Sequence, residues 1–598
     1  MMNINRQSEA EKKVAELYAD VTRRAGASSF GSCPVELTAA FVRLCLAQSC
    51  GKCVPCRVGL SRLVEILERV LDGAGSAADL DLIRETAQAI YDSADCAIGF
   101  EAARLVLDGL AAFEDDYKSH IEKGVCTAKF GSVPCQTGCP AHVNIPGYIA
   151  CIAAGRSADA VRVIRQTNPF PAVCGLICEH PCEKYCRRNV VDDAINIRGL
   201  KRYAVEKAGD VPAPKATPKN GKTVGIIGGG PAGLTAAYFL ALRGFAVTVY
   251  EKRPKLGGML RYGIPAYRLP DADLDRDINV ILSTGVKVEY GKTVGKDISF
   301  ADFRKKFDAV YVSIGAHGAK KLGIEGEDAK GVLSAVELLG SLGGLGSLEG
   351  LAGSGGLGLA GKRVVVVGGG NVAMDATRTA KRLGAKSVAC VYRRRIVDMT
   401  ALPEEVAGAQ AEGCEVLQLM APVRVAVKDG VVMGLVVKPQ IAGAIKGGRP
   451  SPVNSSEPEQ TIPCDIIVAA IGQRVDDAGL DLKAEGVFVG GDCYTGPATV
   501  IRAIDAGRVA AENINESLLG SVGSEGPLSG AGIDPVEIPS ATAGQRLHWG
   551  RVNMQERAAE ERKDDFNLME KCLTDEEAAQ ECSRCLRCDH CGFGAFRK

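Results

Sequence analysis

The chain has 598 residues, enough for about three to six domains at roughly 100–200 residues each. Lys plus Arg and Asp plus Glu both total 72, so the net charge is zero, which argues against a nucleic-acid binder with its basic stripe. Apolar residues make up 46%, mean hydropathy is +0.04, and no run of about 18 apolar residues offers a membrane span. The opening MMNINRQSEAEKK lacks the apolar core of a secretory signal, so a cytoplasmic protein is expected. The informative outlier is cysteine. There are 23, bunched at 33–56, 126–186 and 572–591, and such clustering in a cytosolic chain reads as metal or iron–sulfur ligation rather than disulfides.

Taken in chain order, Val14, Leu17, Tyr18 and Val21 recur at helical spacing and predict an amphipathic docking helix within residues 1–28. Residues 29–122 keep a helical pattern and contain SCGKCVPCRVG, with Cys50, Cys53 and Cys56, followed forty residues later by Cys96 in DCAIGF. A C-x2-C-x2-C run wraps one face of a cubane and a distant fourth cysteine closes it; a zinc site is the competing chemistry. The segment resembles the C-terminal iron–sulfur module of the NADH-binding flavoprotein subunit of respiratory complex I and of NAD-reducing hydrogenases. The NADH- and FMN-binding domain of that family is missing here, so the resemblance implies a cluster and not the NADH chemistry.

Residues 123–210 are rich in cysteine and in short helices, with PCQTGCPAHVNIPGYIACIAAGR (134–156), NPFPAVCGLICEHPCEKYCRRN (168–189) and AINIRGLKRYA (194–204). They resemble the N-terminal domain of the glutamate synthase small subunit, of the large subunit of ferredoxin-dependent NADP transhydrogenase and of dihydropyrimidine dehydrogenase. That resemblance implies two [4Fe–4S] clusters, with Cys135, Cys139, Cys178, Cys182 and Cys186 at matching ligand positions. Two departures stand out. The leading C-x2-C of the family is reduced to Cys126, and Lys201 replaces the usual Gln or Glu ligand with an ammonium that cannot bind iron. Cys126 and Cys174 both remain open as the fourth ligand of the Cys139, Cys178 and Cys182 set.

After a Pro- and Lys-rich linker (208–222) the pattern changes to strand, glycine turn and helix. Gly228, Gly230, Pro231, Ala232 and Gly233 form the first turn, and the next strand ends in Glu251, placed to accept from a ribose with a free 2′-hydroxyl. The second turn comprises Gly368, Gly370, Asn371, Val372 and Ala373; its second strand runs into Arg393, Arg394 and Arg395, which suit a 2′-phosphate and so NADP(H). One or two of these arginines on a merely solvated loop face is the bland alternative. Between the two turns, the Gly-, Leu- and Ser-rich run 340–361 reads as a surface insertion, and the polar run 447–460 as a hairpin loop.

A third element, GVFVGGDCYTGPATVIRAIDAGR, delivers Gly491 and Asp492 at a strand end and opens a helix near Thr499. It resembles the terminal motif of the two-dinucleotide flavoprotein superfamily, in which the aspartate binds the flavin ribitol. By that resemblance FAD fills the first site, with Gly258 also against it, and NADP(H) the second, while VSIGA (312–316) and AAIGQ (469–473) form the crossover strands. The expected fold is α/β, with two nested Rossmann-like domains preceded by two helical iron–sulfur domains: FAD domain 211–335 and 469–519, NADP domain 336–468. Cysteines between residues 223 and 515 stand singly, which disfavours a redox disulfide.

The tail 520–598 ends in EEAAQECSRCLRCDHCG. Either Cys585 and Cys588 return in space to complete the cluster begun by Cys135 and Cys186, or Cys582, Cys585, Cys588 and Cys591 hold a cluster of their own, making three clusters or four. The whole predicts an enzyme: an NADP(H)-dependent FAD and iron–sulfur oxidoreductase subunit with no side-chain general base. Its partners are other iron–sulfur or flavin subunits, with ferredoxin as a further candidate, in a transhydrogenase, ferredoxin- or hydrogenase-linked complex; electron bifurcation is compatible but unread in the sequence. A glutamate synthase small subunit is the rival enzyme, and a non-catalytic cluster scaffold the rival of another class.

Overall fold

The computed structural model describes residue 14 and residues 33–71, 75–123, 133–190, 192–342, 358–446, 449–476, 479–520, 536–539 and 550–589. Most of the helix expected near the N-terminus, Cys126, Cys591 and the greater part of the Gly-rich insertion lie outside the described residues.

Residues 33–123 build a helical module with its own core. The helices Pro34–Gln48, Ser61–Leu71, Ala77–Ser93 and Ala97–Ala112 turn Val35, Phe41, Leu63, Ile66, Ile83 and Val106 inward at helical spacing. A second helical unit follows: Ile145–Ala153, Ser157–Arg165, Pro171–Ile177 and Ile197–Ala208. Its start signals are legible. Asn144 and Asn196 cap their helices by accepting from Gly147 and Gly199, and Pro146 and Pro171 sit in first turns. The core of this unit is continuous with that of the first nucleotide domain.

Two parallel sheets follow. In the first, the order is β16-β4-β1-β2-β3, with β1 Thr223–Ile227, β2 Ala246–Glu251, β3 Lys287–Tyr290, β4 Ala309–Val312 and β16 Val487–Val489. The second reads β6-β14-β7-β8-β9, with β6 Val332–Ser334, β7 Arg363–Val367, β8 Ser387–Tyr392, β9 Glu415–Gln418 and β14 Ile466–Ala469. Strand runs such as TVGII and RVVVV are nearly all apolar because helices cover both faces of such a sheet. The one domain is nested in the other, and β5 Gly318–Ala319 pairs with β15 Gln473–Arg474 where the chain crosses. This is the mixed α/β, doubly nested fold expected.

Two details differ from expectation. Val332–Ser334 pairs with Ile467–Ala469, so the second sheet begins before residue 336 and ends on residue 469 rather than 468. The polar run expected as a hairpin loop contains a strand, β12 Arg449–Asn454, paired to the outer half of β11 Val431–Lys446, whose inner half, with Val432, Leu435 and Val437, is buried and pairs with β10 Met420–Lys428 and β13 Gln460–Pro463. An edge strand wetted on both faces has no apolar alternation to betray it.

The C-terminal segment 550–589 runs back over the molecule as a strap. Met569 N–H donates to Tyr267 O at 3.0 Å, Glu570 pairs with Arg198, and Arg562 reaches Glu412 in the second nucleotide domain at 2.8 Å. Glu412 is fully buried and also accepts from Arg378 and Arg382, so its charge is compensated threefold and its carboxyl sits well below the usual range. Farther on, Glu581 accepts from the Asn196 N–H at 2.6 Å, and buried Arg584 meets Glu581 and Asp192. These bonds fix the helix Asp575–Ser583 against the cysteine-rich unit just before Cys585.

Candidate functional site

The first glycine turn closes one end of a cavity of about 530 Å³ lined by Gly228, Gly230, Pro231, Ala232, Glu251, Gly258, His317 and Asp492, among others. A Cβ on Gly230 would meet only Gly258 Cα, at 3.8 Å, so the protein leaves a cradle of bare backbone there. The helix Pro231–Leu242 starts at Gly230 with no side-chain cap, and its free N–H groups face the same cradle. Glu251 Oε2 accepts the Gly229 N–H at 2.8 Å and its other oxygen the Arg253 N–H at 2.9 Å, which locks the carboxylate at the end of β2. Asp492 also lines the cavity. Burial pushes its carboxyl up to about 6, with the Ala498 N–H pulling the other way. The cavity, the bare cradle and two carboxylates fit a dinucleotide carrying free hydroxyls. Gly233 packs in the helix's first turn, and Thr499 stands at the start of the helix Val500–Leu519 without a side-chain cap bond, next to Ala498, whose N–H donates to Asp492.

One residue in this cavity escaped sequence reasoning. His317 follows β4 and lines the cavity with its Nδ1 buried and without a hydrogen-bond partner. Burial, aided by the charges of Arg253 and Lys252, drives the imidazole down to about 4, so it stays neutral at physiological pH. A lone histidine between IGA and GAK carries no spacing pattern, and only the cavity reveals it.

The second turn has the same backbone plan. Gly370 caps the helix Asn371–Arg382 without a side chain, and a Cβ there would find only Thr400 Oγ1 at 3.4 Å. Gly368 and Ala373 pack in the turn, and Val372 stands exposed on the helix's first turn. Tyr392 occupies the end of β8 and is followed by the arginines. Arg395 pairs with Asp398 at 2.8 Å, Arg394 donates to Pro450 O at 2.8 Å, and Arg393 is exposed. Asn371 ties this turn to the cysteine-rich unit: its amide donates to Glu179 at 2.7 Å while its oxygen accepts from Leu402 N–H.

Three cysteine groups emerge. In the N-terminal module Cys56 lies against both Cys53 and Cys96, and the amides of Asp95 and Cys56 hold the Cys53 thiol below its usual range. A Cβ on Gly99 would lie 2.7 Å from Cys56 Sγ, so the glycine of the late CAIG is what admits the thiol. Cys50 is exposed on the loop before them. In the second unit, Cys135, Cys186, Cys585 and Cys588 line one small cavity, with Arg187 and Arg188 beside them. Burial raises the Cys135 thiol, and the charges of Cys585, Cys186 and Cys588 raise it further. The C-terminal cysteines are thus brought to the partners expected, across some four hundred residues of chain. A third group joins Cys139, Cys178 and Cys182 around Lys201. Four thiols lining one cavity, or three set around one side chain, are soft donors of the kind iron–sulfur clusters take, while among the described residues no three His, Cys, Asp or Glu side chains are placed to hold a single metal ion.

Family comparisons agree with this division. Residues 36–120 match the NADH-ubiquinone oxidoreductase-F iron-sulfur binding region, residues 120–211 the dihydropyrimidine dehydrogenase domain II with its 4Fe-4S cluster, and residues 222–507 the pyridine nucleotide-disulphide oxidoreductases. Over 93% of its length the chain is 34% identical to the beta subunit of an NADP(+)-dependent formate dehydrogenase from Moorella thermoacetica, covering 90% of that protein. It is 35% identical to the beta subunit of an NADPH-Fe(3+) oxidoreductase from Geobacter sulfurreducens, over 92% of this chain and 89% of that one. A glutamate synthase [NADPH] small chain from Escherichia coli is 32% identical, over 64% of this chain and 88% of its own.

Proposed function

We propose, from the premise that the chain belongs to the family of these iron–sulfur flavoprotein subunits, that it joins NADP(H) to a partner subunit through FAD and its cluster groups. The protein is an NADP(H)-dependent flavin and iron–sulfur oxidoreductase subunit of a larger complex. Bound FAD would take electrons from NADPH as a hydride and release them singly to [4Fe–4S] clusters, because nicotinamide moves two electrons and a cluster one. The chain's own task is positioning. Gly230 and Gly258 bare the pyrophosphate cradle, Glu251 and Asp492 hold hydroxyls at its two ends, and Arg393 with Arg394 take the 2′-phosphate at the second turn. Cys50, Cys53, Cys56 and Cys96 would hold one cluster, Cys135, Cys186, Cys585 and Cys588 a second, and the group with Cys139, Cys178 and Cys182 a third.

The observation that carries this reading is a join. The loop between Cys178 and Cys182 bonds directly to the NADP half, through Glu179 to Asn371 at 2.7 Å and through His180 to Glu404 at 3.5 Å. Cluster loop and nucleotide turn therefore form one unit rather than two domains on a tether. For the partner, the relatives' names point in two directions: a subunit that oxidises formate and passes electrons towards NADP(+), or one that takes electrons from NADPH towards Fe(3+), with ferredoxin as a further candidate. The N-terminal module favours this over a glutamate synthase small chain, which matches only 64% of the sequence.

The test uses the anaerobically purified holoprotein. NADPH should bleach the flavin and then raise cluster EPR signals. Cys585→Ser should remove iron and alter one cluster signal while FAD stays stoichiometric. Iron content and spectrum unchanged in that variant would return the C-terminal cysteines to a role outside the second cluster.

A further inference from the structure

The third cysteine group contains one thiol more than the matching positions supply. Cys174 lies on the helix Pro171–Ile177, one turn before Cys178, and is completely buried. Its thiol lies against that of Cys178, which is buried as well. Cys178 ends the helix with extended backbone, and His180, in the left-handed region at φ 40°, then turns the chain so that Cys182 faces the same pocket. Opposite stands Lys201 on the helix Ile197–Ala208, buried, with the thiols of Cys174, Cys178, Cys139 and Cys182 around it. The two helices touch closely because residue 175 is glycine: a Cβ there would lie 2.9 Å from Arg202 Cα.

We infer that Cys174 is the fourth ligand of the Cys139, Cys178 and Cys182 cluster, and that Lys201 is its buried counter-charge rather than a ligand. The inference rests on the proposed reading of this group as a cluster site. A protonated amine has three donors and no lone pair, so it cannot bind iron, yet a buried ammonium needs an anionic neighbour. A cluster with four thiolates is such a neighbour, and each thiol gives up its proton to solvent as it takes iron. The two substitutions then belong together. A fourth thiolate adds negative charge, and an ammonium placed beside the sulfurs offsets it and favours the reduced state, since hydrogen bonds and positive charge near the sulfurs raise a cluster's potential.

The experiment is EPR-monitored redox titration of anaerobic holoprotein, with iron and FAD counted per chain. Cys174→Ser should lose one cluster's iron or change the g values of one signal, leaving FAD and the other signals intact. Lys201→Met should keep all the iron and move the potential of that same signal to a more negative value. Unchanged g values and iron in Cys174→Ser overturn the ligand assignment, and loss of the cluster in Lys201→Met overturns the counter-charge role. Should Cys174→Ser not accumulate as folded protein, Cys174→Asp offers a carboxylate oxygen at the same place; it should retain iron with altered g values, and an unaltered signal overturns the assignment. Cys139→Ser separates the two levels of argument. If it too leaves iron and spectrum unchanged, the failure lies with the cluster site itself, not with its fourth ligand.

Discussion

The two glycine turns share a backbone and differ in one place. A Cβ on Gly228 would lie 2.5 Å from the Ser313 carbonyl, just past β4, and one on Gly368 would lie 2.4 Å from the Ala470 carbonyl, just past β14. In both halves the turn is pressed against the same neighbouring strand end, and in both the helix opens on an uncapped glycine. The difference comes at the end of the second strand. The first half has Glu251, held by the Gly229 amide; the second has Tyr392 and three arginines. On the proposed reading, backbone geometry suits a dinucleotide in both halves, and the charge at that strand end selects between a free 2′-hydroxyl and a 2′-phosphate.

The largest test of this comparison exchanges the shared element. Gly230→Val fills the cradle, and because a Cβ there meets nothing nearer than 3.8 Å, the fold should survive while FAD is lost. Gly370→Val is the mirror image: it should spare FAD and abolish NADPH binding. Flavin absorbance per chain and NADPH titration of each variant measure both. Stoichiometric FAD in Gly230→Val would break the assignment of the first half.

Next in size is the element that differs. Charge-assisted hydrogen bonds to a phosphate contribute roughly 1.5–3 kcal/mol each. Replacing Arg393 and Arg394 with Ser should weaken NADPH by about one to several powers of ten at 1.4 kcal/mol per tenfold. Arg395 is already committed to Asp398, so its removal should matter less. NADH has no 2′-phosphate and should hardly respond. Michaelis constants for both nucleotides with an artificial acceptor decide, and equal weakening of the two would make the arginines a solvated face.

What the sequence made legible follows the same division between local and long-range information. Glycine spacing, the acid at 251 and the C-x2-C-x2-C run are local patterns; the first glycine turn and Glu251 line one cavity, and Cys56 lies against Cys53 and Cys96. The return of Cys585 and Cys588 could be framed only as one of two options, because the choice depends on the strap contacts of Glu581, Arg584 and Glu570. Cys174 stayed ambiguous for the same reason: its partner Lys201 lies on another helix, and the close approach at Gly175 is invisible along the chain. Arg449–Asn454 was hidden differently, since a strand exposed on a ribbon leaves no alternation.

The smallest expected effect sharpens the first half alone. Asp492 lines the first cavity, proposed above for FAD, where burial pushes its carboxyl up to about 6. A ribitol hydroxyl donating to it favours the charged form, so FAD binding lowers this value. By linkage the affinity is level above pH 6 and declines as the pH falls below it, because protons then compete with the hydroxyl for the carboxylate. One titrating group changes the affinity by at most about tenfold per pH unit, so the loss between pH 6 and 5 should stay within that bound. Asp492→Asn should bind FAD more weakly at pH 8 and lose the slope below pH 6. The measurement is FAD release followed by fluorescence from pH 8 to pH 5 in both proteins. If the two curves stay parallel, another group carries the pH dependence and Asp492 does not hold the ribitol.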